Sequence, residues 1–164
     1  MLDGEAVLAK ARELGALDAV VIPTSSIVVA HWVRLKCQYG CPDYGKWKTC
    51  PPYSPDPDTT RKVLAEYEKA LLMKSTSHTE ATNLAVSMMF WLYSQGIFKA
   101  FPMGSGRCYL CEECDPLNCR HPDKAYPSME ACGIDVVSTV KNAGWDNGPL
   151  EGGKYPHFCM VLLW

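Results

Sequence analysis

No stretch of this sequence is long and apolar enough to cross a bilayer. The most apolar run, LAVSMMFWL (84–92), is far too short and carries helix periodicity. The opening residues MLDGEAVLAKARELG are charged and amphipathic and lack the apolar centre of an export signal. A cytoplasmic protein with no membrane partner is therefore expected. Neither sign of charge dominates: 16 Lys and Arg stand against 18 Asp and Glu, for a net charge of −2. That balance, with a pI near 6.1, gives no general attraction to nucleic acid. Nucleotide loops are missing too, since GSGRC (104–108) has neither the lysine of a P-loop nor the third glycine of a dinucleotide fingerprint. There is no nucleophile elbow and no Ser–His–Asp order. Cys37-x3-Cys41 begins the C-x3-C-x2-C spacing of radical S-adenosylmethionine enzymes, and the eight residues before Cys50 break it.

What the sequence has in excess is cysteine, nine in 164 residues. An odd count without an export signal argues against a disulfide framework, because disulfides rarely persist in a reducing compartment. Seven of the nine fall into two groups. The first is Cys37, Cys41 and Cys50 within CQYGCPDYGKWKTCPPYSP (37–55), and the second is Cys108, Cys111, Cys114 and Cys119 within GRCYLCEECDPLNCRHP (106–122). Cys132 and Cys159 stand apart, and a packing role as small buried hydrophobes is at least as good a reading of each.

The pattern between these groups predicts one α/β domain over residues 1–164, with a central sheet flanked by helices and two cysteine-rich metal-binding loops at strand ends. Residues 2–15 read as a helix with Leu2, Val7, Leu8, Ala11 and Leu14 inward. Strands are expected at 17–23, 25–36, 70–75, 97–104 and 157–164, and helices at 56–70, 77–96 and 127–144. Each cysteine group then follows a strand and precedes a helix, so both are expected at the same edge of the sheet. Ser128 is the expected N-cap of the 127–144 helix, with Glu130 in its first turn and Gly144 closing it.

The second group has the spacing C-x2-C-x2-C-x4-C. Structural zinc usually takes paired ligands from two knuckles separated by enough chain to fold. Here only two to four residues lie between consecutive thiols, which suits the several iron corners of a [4Fe–4S] cube better than one ion. The ferredoxin run C-x2-C-x2-C-x3-C-P is close, with one residue fewer before its last cysteine. The first group shows three thiols. Three can hold a cube with one iron open, or a fourth ligand can come from Cys132, Cys159, His31, His121 or His157. Cys132, near a helix start where a thiolate is favoured, is the leading candidate. Cys50-Pro51 also has the form of a ligand that crosses to a second cluster. One or two [4Fe–4S] clusters are expected, with zinc as the alternative. Cys119-Arg-His121 lacks the second half of a Rieske pair.

The blocks RLKCQYGCPDYGKWKTCPPYSPDPDTTRKVLAEYEKALL, GRCYLCEECDPLNCRHPDKAYPSMEACGIDV and TVKNAG resemble the predicted metal-binding family called domain of unknown function 2284, from about residue 17 to the end. The resemblance implies a cysteine-rich iron–sulfur protein of a kind common in anaerobes, with no established reaction. Cys37, Cys41, Cys50, Cys108, Cys111, Cys114 and Cys119 fall on the family's cysteine positions, and Cys132 lies in its PSMEACG segment.

Arg34, Lys36, Lys46 and Lys48 lie near the first group, where they offset cluster charge or form an ordinary solvated basic face. Tyr39, Tyr44, Trp47 and Tyr53 shield a metal from water or simply pack the loop. Met88, Met89, Phe90 and Trp91 read as helix core. The sequence thus points to an iron–sulfur electron carrier with a redox protein or enzyme as its partner, a homo-oligomer also being compatible. The alternatives are an enzyme with an open iron at the three-thiol site and a zinc-stabilised binding module.

Overall fold

The computed structural model describes residues 3–164, so Leu2, expected on the inward face of the first helix, lies outside the described residues. Four antiparallel strands form one sheet: β1 (Asp18–Pro23), β2 (Lys69–Ser75), β3 (Phe101–Met103) and β4 (His157–Leu162), in the order β1-β2-β4-β3. The last strand is therefore interior, with Met160 opposite Leu72 on one side and Met103 on the other. The five helices of the described residues are α1 (Gly4–Glu13), α2 (His31–Gly40), α3 (Pro57–Leu64), α4 (His78–Ser94) and α5 (Val136–Asn142).

Alternation along the central strands sends side chains to two cores. Leu71, Met73, Cys159, Val161 and Leu163 meet Val7 and Ala11 of α1 and Ala81, Leu84, Ala85, Met88 and Leu92 of α4. Ala70, Leu72, Phe158, Met160 and Leu162 meet Leu64 of α3, Val140 of α5 and the Met129–Ile134 segment. With both faces covered, β2 and β4 read as nearly continuous apolar runs, which is how they show in the sequence. Helix starts follow their caps: the carboxylate of Asp56 accepts from Thr59 N–H at 2.7 Å, Ser77 Oγ from Glu80 N–H at 3.1 Å, and Asp135 from Ser138 N–H at 3.0 Å.

Four expectations need correction. Residues 25–36 are not a strand. A single 3-10 turn (Thr24–Ser26) and one isolated bridge, Val29 to Ile134, precede α2. The β-branched run stops at Val29. From His31 onward helical spacing lets Arg34 reach back, donating to Pro55 O at 2.8 Å and Ala131 O at 3.4 Å. As a result the first cysteine group leaves a helix rather than a strand, with Cys37 in the last turn of α2 and Cys41 capping it. Residues 127–144 are not one helix either. Ser128 does cap, accepting from Ala131 N–H at 3.0 Å, but the helical turn is only Glu130–Cys132. Gly133 then turns left-handed (φ 79°), where a Cβ would lie 2.6 Å from Pro57 Cγ, and α5 begins afresh after Asp135. Finally, the 97–104 strand shrinks to Phe101–Met103, and the 56–70 helix ends at Leu64.

Candidate metal centre

All nine cysteines are free thiols, and seven of them line two neighbouring cavities. Cys108, Cys111, Cys114 and Cys119 surround the first with Trp47, Lys48 and His121. The loop that carries them leaves β3 and has no helix or strand before Glu130. Short local turns hold it, such as Asn118 N–H to Asp115 O at 3.2 Å. Cys37, Cys41 and Cys50 line the second, a cavity of about 300 Å³, together with His78, Arg107, Tyr109 and Glu130. Burial raises the Cys37 thiol above its ordinary value, and the Cys41 sulfur adds to this. Burial and the Asp43 carboxylate push Cys50 up to about 12. Cys108 is raised by burial, with smaller contributions from Cys111, Cys114 and Cys119.

The two cysteine segments touch. Lys48, in the first cysteine segment, donates its backbone N–H to Cys114 Sγ at 3.4 Å, and its Nζ reaches Pro116 O at 3.4 Å. Between the thiol sets the Arg107 guanidinium is sandwiched by Trp47 and Tyr109, at 4.1 and 4.5 Å from the ring centroids. Asp43 fixes this stack, accepting from Trp47 Nε1 at 2.9 Å and lying 3.8 Å from Arg107 Nε. The loop approaches α4 closely at Gly106 (φ 67°), where a Cβ would meet the His78 ring at 2.9 Å. His78 Nδ1 lies 2.8 Å from Ser105 Oγ, and burial, then His157, lowers its pKa. The His78 and His157 rings meet edge to face with centroids 4.1 Å apart.

The remaining sequence candidates are placed elsewhere. Cys132 is wholly buried in the core with Leu72, Met129 and Ile134 and lines neither thiol cavity; its pKa rises to about 12, chiefly through burial. Cys159 is buried on the opposite face of the sheet, against α4. His31 is exposed beside Asp58 and Arg61. His121 lines the four-thiol cavity, while His157 is held one ring away from the three-thiol cavity by His78. Of the aromatics, Trp47 and Tyr44 line cavities, whereas Tyr39 and Tyr53 are exposed.

Asp43, His78, Arg107, Tyr109 and Glu130 were not singled out from the sequence as residues of the site. His78 falls inside the expected 77–96 helix without a role, and Glu130 reads there only as a first-turn acid. Burial pushes the Glu130 pKa up, opposed by its own backbone N–H and the Ser128 hydroxyl. Among the described residues, the buried side-chain oxygens without any hydrogen-bond partner are Glu130 Oε2 and Thr49 Oγ1, the latter adjacent in sequence to Cys50. Buried polar atoms are normally paired, so each of these oxygens is free to take an ion or a water.

The donor chemistry fits a thiophilic metal: grouped thiols select zinc, copper(I) or iron–sulfur. The sulfurs are not gathered on a point, and among the described residues no three His, Cys, Asp or Glu side chains converge tightly enough to hold one ion. The space inside the four-thiol loop is about 20 Å³, room for a single water, so a larger centre requires the loop to draw back.

No helix among the described residues is long and apolar enough to cross a membrane. No curated protein and no solved structure matches the chain. The family described as predicted metal-binding protein (DUF2284) matches residues 20–163, and the chain belongs to that family.

Proposed function

We propose that the protein holds iron–sulfur clusters in its two thiol cavities and exchanges electrons with a redox partner. The observation that carries this reading is the division of seven thiols into adjoining sets of four and three. One tetrahedral ion needs four donors at about 2.0–2.3 Å from a common centre, and neither set converges in that way. A cube accepts one thiolate per iron corner, which suits sulfurs spread along a loop. Such a cluster supplies one-electron chemistry when bound.

The chain's own residues then have definable work. Four thiols of the 108–119 loop bind, and Lys48 N–H donates to one of their sulfurs, which stabilises added negative charge there. Trp47 excludes water from one side of that cavity, and the Arg107 guanidinium sets a fixed positive charge between the two sets. Cys41 and the 108–119 loop lie near the surface, where a partner can approach.

The 300 Å³ of the three-thiol cavity favour a second reading, in which a small ligand reaches the metal there beside Arg107, Tyr109 and His78. Purification without oxygen separates the readings. Brown protein with iron and acid-labile sulfide supports clusters, and colourless protein with stoichiometric zinc overturns them. A spectrum that responds to added small anions only at the three-thiol site selects the second reading.

A further inference from the structure

We propose that Glu130 is the fourth protein ligand of the three-cysteine cavity, giving that site three sulfur donors and one carboxylate oxygen. The proposal rests on reading this cavity as a metal centre and names the donor that the sequence leaves open.

Glu130 lines the same cavity as Cys37, Cys41 and Cys50. It also lines an adjoining cavity with Cys37 and Cys41, so these three side chains form a shared wall. Its residue keeps an exposed edge, yet Oε2 is sealed from solvent and has no partner. A carboxylate oxygen that is buried, unpaired and in the wall of the same cavity as three thiols is placed to become a ligand when the cavity closes on an ion.

The segment around it is fixed. Ala131 O accepts from Ser54 Oγ at 2.6 Å, Cys132 O accepts from Thr60 Oγ1 at 2.7 Å, and Ala30 N–H donates to Gly133 O at 2.9 Å. Met129, Cys132 and Ile134 are anchored in the core on one side of the turn, which leaves Glu130 directed to the other. Cys132, the donor that the expected helix start favoured, is therefore occupied by packing, and the residue two positions earlier takes the position it cannot reach. Oxygen is a harder donor than sulfur, so a site of this composition differs in kind from the four-thiol site beside it.

The test compares Cys50→Ser, Glu130→Gln, Glu130→Ala and Glu130→Cys with the wild type, all prepared without oxygen. Circular dichroism checks the fold of each. Metal and sulfide per chain, electron paramagnetic resonance and metal retention against a chelator are the readouts. Cys50→Ser is expected to lose the metal of the three-thiol site. Glu130→Ala is expected to retain that metal at least tenfold more weakly, with the four-thiol signal unchanged. Glu130→Gln keeps the side chain's size and is expected to change the spectrum of the three-thiol site, while Glu130→Cys restores retention with an all-sulfur signature. If Cys50→Ser keeps its full metal content, the metal-centre reading of this cavity fails. If Cys50→Ser loses metal while folded Glu130→Gln and Glu130→Ala match the wild type in retention and spectrum, that reading stands and the ligand proposal is overturned.

Discussion

Lys48 donates its backbone N–H to Cys114 Sγ at 3.4 Å, across 66 residues of sequence. The contact ties the two cysteine segments together and places a dipole on one sulfur of the four-thiol set. N–H donors to ligand sulfur stabilise the more negative state of a centre and so raise its potential. Replacing Lys48 with Pro removes the N–H, whereas Lys48→Ala keeps it. Voltammetry of the loaded protein is expected to show a more negative potential for Lys48→Pro and little change for Lys48→Ala.

Gly106 has φ 67° and sits against the His78 ring. A Gly106→Ala variant meets both a left-handed backbone and a 2.9 Å clash, at a cost of about 1–3 kcal/mol from the backbone alone. The denaturant midpoint is expected to fall accordingly. Adding His78→Ala removes the clash and leaves the backbone cost, so the double variant should recover only part of the loss.

How much of this was legible follows from what each signal measures. Continuous apolar runs marked β1, β2 and β4, and Asp56, Ser77 and Gly96 marked helix ends. The grouping of four thiols at 108–119 was visible as spacing. The error at 25–36 came from Ile27, Val28 and Val29, whose β-branched character is a local preference that only one isolated bridge satisfies. Glu130 was invisible as a site residue because nothing in PSMEACG distinguishes a solvated first-turn acid from one turned into a cavity. That distinction depends on Gly133, Pro57 and Arg34, which are brought together only by tertiary packing.

Cys132→Ala is expected to leave the metal content per chain unchanged while lowering stability, since its thiol packs in the core among Leu72 and Ile134. Cys37→Ala should show the opposite balance, with little loss of fold and a clear loss of metal. Metal analysis alongside thermal unfolding distinguishes these patterns, and a Cys132→Ala protein stripped of one site's metal would defeat the assignment.

Thiol accessibility gives a separate check. In the metal-free native protein a short alkylation pulse should modify Cys37, Cys41, Cys108, Cys111, Cys114 and Cys119, with Cys50 slower. Cys132 and Cys159 should react only after unfolding, because both are fully buried. Loading with metal is expected to protect the seven cavity thiols together. Mass mapping of the alkylated peptides reads the result.

The same burial sets an alkaline limit. Burial raises the Cys159 thiol well above its ordinary value near 9.0 and the Cys132 thiol to about 12. Above that ordinary value the unfolded chain has lost these protons while the folded chain keeps them. The folded state then binds more protons, and stability falls as pH rises from 9.0 toward the folded values. Each such thiol contributes a slope of about 1.4 kcal/mol per pH unit. In metal-free protein, Cys159→Ala is expected to flatten the dependence by about that amount between pH 9 and roughly 11, measured by urea unfolding.

The end of α2 has a consequence for direction. A helix carries partial negative charge at its carboxyl end, and α2 delivers that end to Cys37 and Cys41 with no basic residue in its last turn. The four-thiol loop has no helix terminus of this kind and receives an amide donor from Lys48 instead. The helix end disfavours added negative charge at its own cavity, and the Lys48 amide favours it at the other. Under the proposed electron-carrier function, charge would run downhill from the helix-capped cavity toward the loop and leave by the 108–119 surface.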